Sequence, residues 1–208
     1  PSILLGSLLP DLDIIFVAIS SLFNSIEIGN QIFHRTFSHS FFSLIIIYLL
    51  FIIVSEMMKK YELKSIGKGI TIGILLHIII DIFLGIDGVH FFWPLPVNEL
   101  NLWKSISMPE ILKHIFKSFE FLFFRIYAWF LIEQFLLNPS KHGWFIIFLT
   151  KWMRIEFFLF IIFIILTCFK IPYFSFLFTL TYIPSLIMAI ISTLMMWHSI
   201  DSTQKEQI

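Results

Sequence analysis

The chain has 208 residues, of which 58% are hydrophobic and only 13% charged, and its mean hydropathy is +0.92. A soluble domain carries about 25% charged residues, so soluble globularity and disorder are both excluded and an integral membrane protein is expected. Fourteen basic residues balance fourteen acidic ones, which leaves no net field to draw in nucleic acid. A single cysteine, Cys168, allows no intrachain disulfide.

In chain order, residues 1–23 are apolar but interrupted by Pro10, Asp11 and Asp13. The first residue is Pro1 and no basic segment precedes this run, so the native N-terminus is expected to lie upstream and no signal peptide is visible. Residues 41–58 form an uninterrupted span that holds one acid, Glu56, near its end. Residues 66–86 form another, with His77 and Asp81 inside it. Residues 119–137 are aromatic and carry Glu120, Arg125 and Glu133, and residues 143–169 carry Lys151, Arg154 and Glu156. Residues 173–198 are nearly free of charge. At about 20 residues per crossing, the pattern predicts an all-α, polytopic integral membrane protein with five or six transmembrane helices. No repeat and no Gly/Ser linker divides it, so a single transmembrane domain over 1–208 is expected, with the polar motifs in 1–98 and a helical scaffold in 99–208.

The short loop after the second span holds Lys59, Lys60, Lys64 and Lys68. By the positive-inside rule it faces the cytoplasm, which puts residues 34–40 and 81–98 together on the outer side.

Ionisable groups within a span cost about 2.5–3.5 kcal/mol each on insertion scales and mark function by default. Three pairs stand out. His77 and Asp81 lie four apart on one helix face, in a row that also holds Gly69, Gly73 and Gly85. Small residues in such a row let a neighbouring backbone approach, so this face is expected to be packed. The pair reads either as an intrahelical hydrogen bond or as two ligands. His34 and His39 flank Arg35 in the run HRTFSHS. They converge if His34 lies in a loop and His39 opens the 41–58 helix, capped by Thr36 or Ser38; interfacial anchoring is the other reading. Asp11 and Asp13 follow Pro10, which favours a broken helix from which both carboxylates address one centre. A helix N-cap is the bland reading of one of them.

Together these segments supply Asp/Asp, His/His and His/Asp. Imidazole with carboxylate is a ligand set for zinc, manganese or iron, and a metal neutralises carboxylates that are otherwise costly to bury. One metal with open positions, or two about 3.5–4 Å apart, makes metal-assisted hydrolysis the default chemistry.

The runs LLGSLLPDLD, HRTFSHS, GILLHIIIDIF and GVHFFWPLP, in that order over residues 5–96, resemble the membrane-bound metal-dependent hydrolase family of YdjM-like inner-membrane proteins. The resemblance implies a polytopic inner-membrane protein with a metal site. Position by position it implies Asp11, Asp13, His34, His39, His77 and Asp81 as ligands and Arg35 as a contact for an anionic substrate group. The family's upstream Thr-His pair is not seen here. His90 departs from the pattern and reads as an interfacial histidine near Trp93. Beyond residue 98 the likeness is compositional only.

In the second half, Glu120, Arg125, Glu133, Lys151, Arg154 and Glu156 read as groups that snorkel to the interface or pair across helices. His114, His142 and His198 read as interfacial, and the six tryptophans as an aromatic belt at span ends. Residues 94–109 read as a loop on the outer surface.

The leading expectation is a membrane-embedded hydrolase that uses a divalent metal, zinc first, and a metal-activated water on a lipid-like or phosphate-ester substrate. Arg35 would hold a phosphate and Asp81 or Asp13 would accept the proton. The rival is a transporter or proton relay that uses the same His/Asp cluster. It expects polar groups through the other leaflet and repeated halves, and the sequence shows neither.

Overall fold

A computed structural model of the chain describes residues 1–23, 26–84, 88–103, 108–137 and 143–200. Gly85, Ile86 at the end of the 66–86 span, and His142 lie outside the described residues. Contacts divide the chain into two compact units, residues 2–107 and 108–208. The described elements are all helical, with one isolated bridge between Val89 and Leu100. Four helical stretches are long and apolar enough to cross a membrane: Ser2–Ser20, Phe41–Met58, Glu62–Phe83 and Phe174–Met195.

In the first unit, α1 (Ser2–Leu8) leads through a 3-10 turn, Pro10–Asp13, into α2 (Ile14–Ser20). The break falls where the sequence demands it: Pro10 has no N–H to continue the ladder of α1, and its fixed φ suits the first position of a new turn. Helix α3 (Ile26–Phe33), which the sequence reading passed over, and a second 3-10 turn, Phe37–His39, lead to α4 (Phe41–Met58) and α5 (Glu62–Leu84).

The cap of α4 is neither Thr36 nor Ser38. Ser40 takes that place, its hydroxyl accepting from the Ser43 N–H at 3.1 Å. Thr36 instead donates to the Phe33 carbonyl at 3.0 Å, and Ser38 is drawn to Asp13. Along α4, Ile45, Ile46, Leu49, Leu50 and Ile53 face outward, as the lipid-facing side of a span must. At its far end Lys59 adopts a left-handed conformation (φ 53°), and the Lys60 N–H closes the helix on the Ser55 carbonyl at 3.0 Å.

The small-residue row of α5 is packed as expected, and its partner is α1. A Cβ on Gly69 would overlap the Ser2 side chain, and one on Gly73 would overlap the Ile3 carbonyl oxygen and lie 2.8 Å from the Ser7 nitrogen. Gly6 answers from α1: a Cβ there would lie 2.8 Å from the Ile70 Cα. The pairings Ser2–Gly69 and Ser7–Gly73 advance in the same direction, so α1 and α5 run parallel. Leu44, Ile70, Ile74, Ile78 and Val89 form the core beneath this crossing.

In the second unit, α6 (Glu110–Leu137), α7 (Phe145–Cys168) and α8 (Phe174–Met195) pack around Phe121, Phe163 and Phe174. The Phe121 and Phe163 rings stack with centroids 4.9 Å apart. Of the two readings of Glu156, pairing across helices holds and snorkelling does not. Glu156 does not snorkel: it is 1% exposed and accepts from the Trp152 indole N–H at 2.5 Å and the Ser185 hydroxyl at 2.6 Å. Trp152, 4% exposed, therefore belongs to the interior rather than to an interfacial belt. Both bonds go to Oε1 and hold the carboxyl between the helices, while Oε2 is buried without a hydrogen-bond partner. His114 stacks on Phe174 with centroids 3.9 Å apart, and burial pushes its pKa below the usual histidine value.

Because backbone meets backbone at Gly73, even Gly73→Ala is expected to destabilise the protein by about 1–3 kcal/mol, the usual cost of overpacking. Thermal unfolding in detergent would show a clear loss for Gly73→Ala and little change for Ile80→Leu, since Ile80 is 55% exposed.

Candidate metal centre

The two 3-10 turns and the middle of α5 bring the three polar pairs together. A 3-10 helix has three residues per turn, so side chains two apart diverge by about 120°. Asp11 and Asp13 accordingly meet opposite nitrogens of His39 and otherwise address different groups.

Asp11 faces α5. Its Oδ1 lies 3.4 Å from His77 Nε2 and 4.0 Å from His39 Nε2. Asp81 Oδ2 lies 3.2 Å from His39 Nε2 and 3.6 Å from His77 Nε2. The ligand atoms of Asp11, His39 and His77 fall within 4.8 Å of one another. The Nε2 atoms of His39 and His77 and Asp81 Oδ2 are buried and make no hydrogen bond of acceptable geometry, although they stand this close. The i, i+4 geometry of His77 and Asp81 is present, but both are aimed across helices as well as at each other.

Asp13 is 5% exposed and acts as a hub. Its Oδ1 pairs with His34 Nδ1 at 3.0 Å. Its Oδ2 accepts from the Arg35 backbone N–H at 2.9 Å and from the Ser38 hydroxyl at 2.8 Å, and lies 3.3 Å from His39 Nδ1. Ser38 Oγ is itself 2.9 Å from His39 Nδ1. With the Ser38 hydroxyl donating to Asp13, the network assigns a proton to His39 Nδ1 and leaves Nε2 facing Asp11, His77 and Asp81. His39 has no exposed surface. Asp13 and His34 thus stand behind the four converging residues.

Arg35 adopts a left-handed conformation (φ 57°). The backbone N–H bond to Asp13 and the bond from the His90 N–H to the Arg35 carbonyl, 3.0 Å, hold it there. Its guanidinium donates to Asp81 through Nη2, 3.2 Å from Oδ1, and Nε stands 3.1 Å from Oδ2 as an ion pair. His90 therefore meets the site through its backbone. The next carbonyl, Phe91, accepts from the Phe41 N–H at 2.7 Å, so the segment after α5 is seated on the HRTFSHS run. Sequence reading missed Ser38 as a bridge; its place directly before His39 was the available sign.

The model of the YdjM inner membrane protein family matches residues 1–177. The chain belongs to this family. It is an inner-membrane protein, and the family match extends well past residue 98, where the sequence motifs stop, through all of α7. Comparison with curated proteins and with solved structures gives no match.

The hub role separates Asp13 from its neighbour two residues earlier. Asp13→Ala leaves the Arg35 N–H, Ser38 and His34 without their acceptor, at about 1–3 kcal/mol for each group left buried and unsatisfied. In metal-free detergent solution Asp13→Ala is expected to unfold at clearly lower temperature than Asp11→Ala, and equal losses would show that the hub has no special weight.

Proposed function

We propose that the chain is a membrane-embedded metal-dependent hydrolase that holds one divalent ion on Asp11, His39, His77 and Asp81. One observation carries this reading. Ligand atoms held 2.0–2.1 Å from a tetrahedral zinc stand about 3.3 Å apart. The four separations between the two imidazoles and the two carboxylates are 3.2, 3.4, 3.6 and 4.0 Å. The buried Nε2 atoms of His39 and His77 make no hydrogen bond, and their spacing from carboxylate oxygens suits a cation. Zinc suits the set first, with manganese and iron close behind.

The other residues take supporting roles. Asp13 and Ser38 hold His39 by its far nitrogen, the carboxylate-to-histidine arrangement that orients metal ligands, and His34 fixes Asp13 in turn. When bound, a divalent ion supplies Lewis-acid polarisation of the substrate and an activated water. Of the two candidate proton acceptors, Asp13 has both oxygens engaged and Asp81 is paired with Arg35, so the role is assigned to neither. Arg35 puts a fixed positive charge beside Asp81, which favours an anionic substrate such as a phosphate ester or a lipid-like molecule with such a head. The centre lies at the ends of α4 and α5 opposite the lysine-bearing loop, and the positive-inside rule would set it toward the outer face.

Metal analysis of the protein purified from cells decides the matter. The expected result is one equivalent of zinc, manganese or iron in the parent protein and loss of it in His77→Ala and in Asp11→Ala. A parent protein with no bound metal, or metal that persists in both variants, overturns the reading. Saturating metal is also expected to raise the unfolding temperature, since an ion at 100 times its dissociation constant adds about 2.7 kcal/mol to the folded state.

A further inference from the structure

A cavity of about 420 Å³ lies within the first unit, between the two 3-10 turns, α2, α3, α4 and α5. This is the size of a small-molecule site. Its walls are apolar, with Leu12, Phe16, Phe33 and Phe37 on one side and Ile47 and Ile74 on the other. The polar groups that reach it are already bonded: Ser38 donates to Asp13, Thr36 to the Phe33 carbonyl, and Ser43 to the Ser40 carbonyl at 2.7 Å. A cavity with no unmet polar group offers water nothing and accepts an apolar occupant.

The position of the mouth says which occupant. Phe16 is 58% exposed and Phe37 49% exposed, yet both line the cavity. Phe16 belongs to the membrane-crossing stretch Ser2–Ser20 and Ile47 to Phe41–Met58. The opening between them therefore gives onto bilayer hydrocarbon, where the available apolar molecules are lipid chains. The lining also includes Asp13 and Ser38, and both stand against His39 Nδ1.

We infer that this cavity holds one hydrocarbon chain of a bilayer glycerophospholipid, which enters laterally beside Phe16 and Phe37 and brings its head to the His39 side of the centre. The identity of that lipid as the substrate rests on the hydrolase reading above; the chain site does not. Moving a chain from bilayer to cavity gains little hydrophobic energy, because both are apolar. The cavity therefore acts as a register for chain position, with binding strength supplied by the polar head.

The test is photolabelling of the full chain in vesicles that contain phosphatidylethanolamine with a diazirine at the end of one acyl chain, with label sites mapped by mass spectrometry. Annular lipid reaches exposed residues everywhere, so buried residues decide. Ser43 and Ile74 are 0% and 1% exposed and line the cavity, whereas Val17 and Ile78, both 0% exposed, do not. Label is expected on Ser43 and Ile74, absent from Val17 and Ile78, and lost in Ile47→Trp, which fills the cavity. Label confined to Phe16, Phe37 and other exposed positions overturns the inference. Metal content measured on the same preparation separates the two readings: label at Ser43 and Ile74 in metal-free protein leaves the chain site standing and removes the hydrolase, and bound metal without that label does the reverse.

Discussion

The close crossing of α1 and α5 is the constraint on which the rest of the first unit depends. One row of α5, read every fourth residue, is Gly69, Gly73, His77 and Asp81. The two glycines let the backbone of α1 settle against α5 without an intervening side chain. Because the helices run parallel, the next pairing along the row after Ser2–Gly69 and Ser7–Gly73 is Asp11 with His77, at 3.4 Å. The glycine half of the row thus sets the distance at which the ligand half meets its partners. Pro10 completes the device by turning the chain just after the contact, so that Asp11 stays at the seam while Asp13 points away from it.

Asp13 then links this seam to the second polar turn. Four groups from residues 34–39 converge on its two oxygens, and each is a group whose burial in a lipid-surrounded protein is costly when left unpaired. The outcome is a division of labour between two carboxylates of the same short motif. Asp11 contributes an oxygen to the centre, and Asp13 contributes order to the residues around it. Arg35, held by its backbone at both N–H and carbonyl, completes the ring by clamping Asp81.

Much of this was legible in the sequence because ionisable groups are scarce there and each must be accounted for. The helical, membrane-spanning class follows from apolar runs of span length, the break at Pro10 from its missing N–H, and the packed face of α5 from the spacing of its glycines. What could not be read was direction. The PDLD spacing does not say that a 3-10 turn will splay the two aspartates, because that depends on the turn type and not on composition. The HRTFSHS run holds three hydroxyl residues able to cap α4 within five positions of its start, and the choice of Ser40 follows from Ser38 and Thr36 being claimed by tertiary and local partners. Whether Glu156 snorkels or pairs across helices could not be decided locally, because its partner Ser185 lies 29 residues away on another helix.

Charge balance supplies the last step. Asp11, Asp13 and Asp81 bring three negative charges into a largely buried cluster, and Arg35 returns one positive charge, so with neutral imidazoles the cluster is two charges short of neutrality. Leaving that deficit uncompensated in low dielectric is prohibitively costly. Two protons on the histidines or one divalent cation would close it. Protonated rings need each Nε2–H to be aimed at an oxygen, and neither His39 nor His77 forms such a bond despite four oxygen contacts between 3.2 and 4.0 Å. A cation would need the reverse, neutral nitrogens and carboxylate oxygens at ligand spacing, and the proposed centre asks this of Asp11, His39 and His77, whose ligand atoms lie within 4.8 Å of one another.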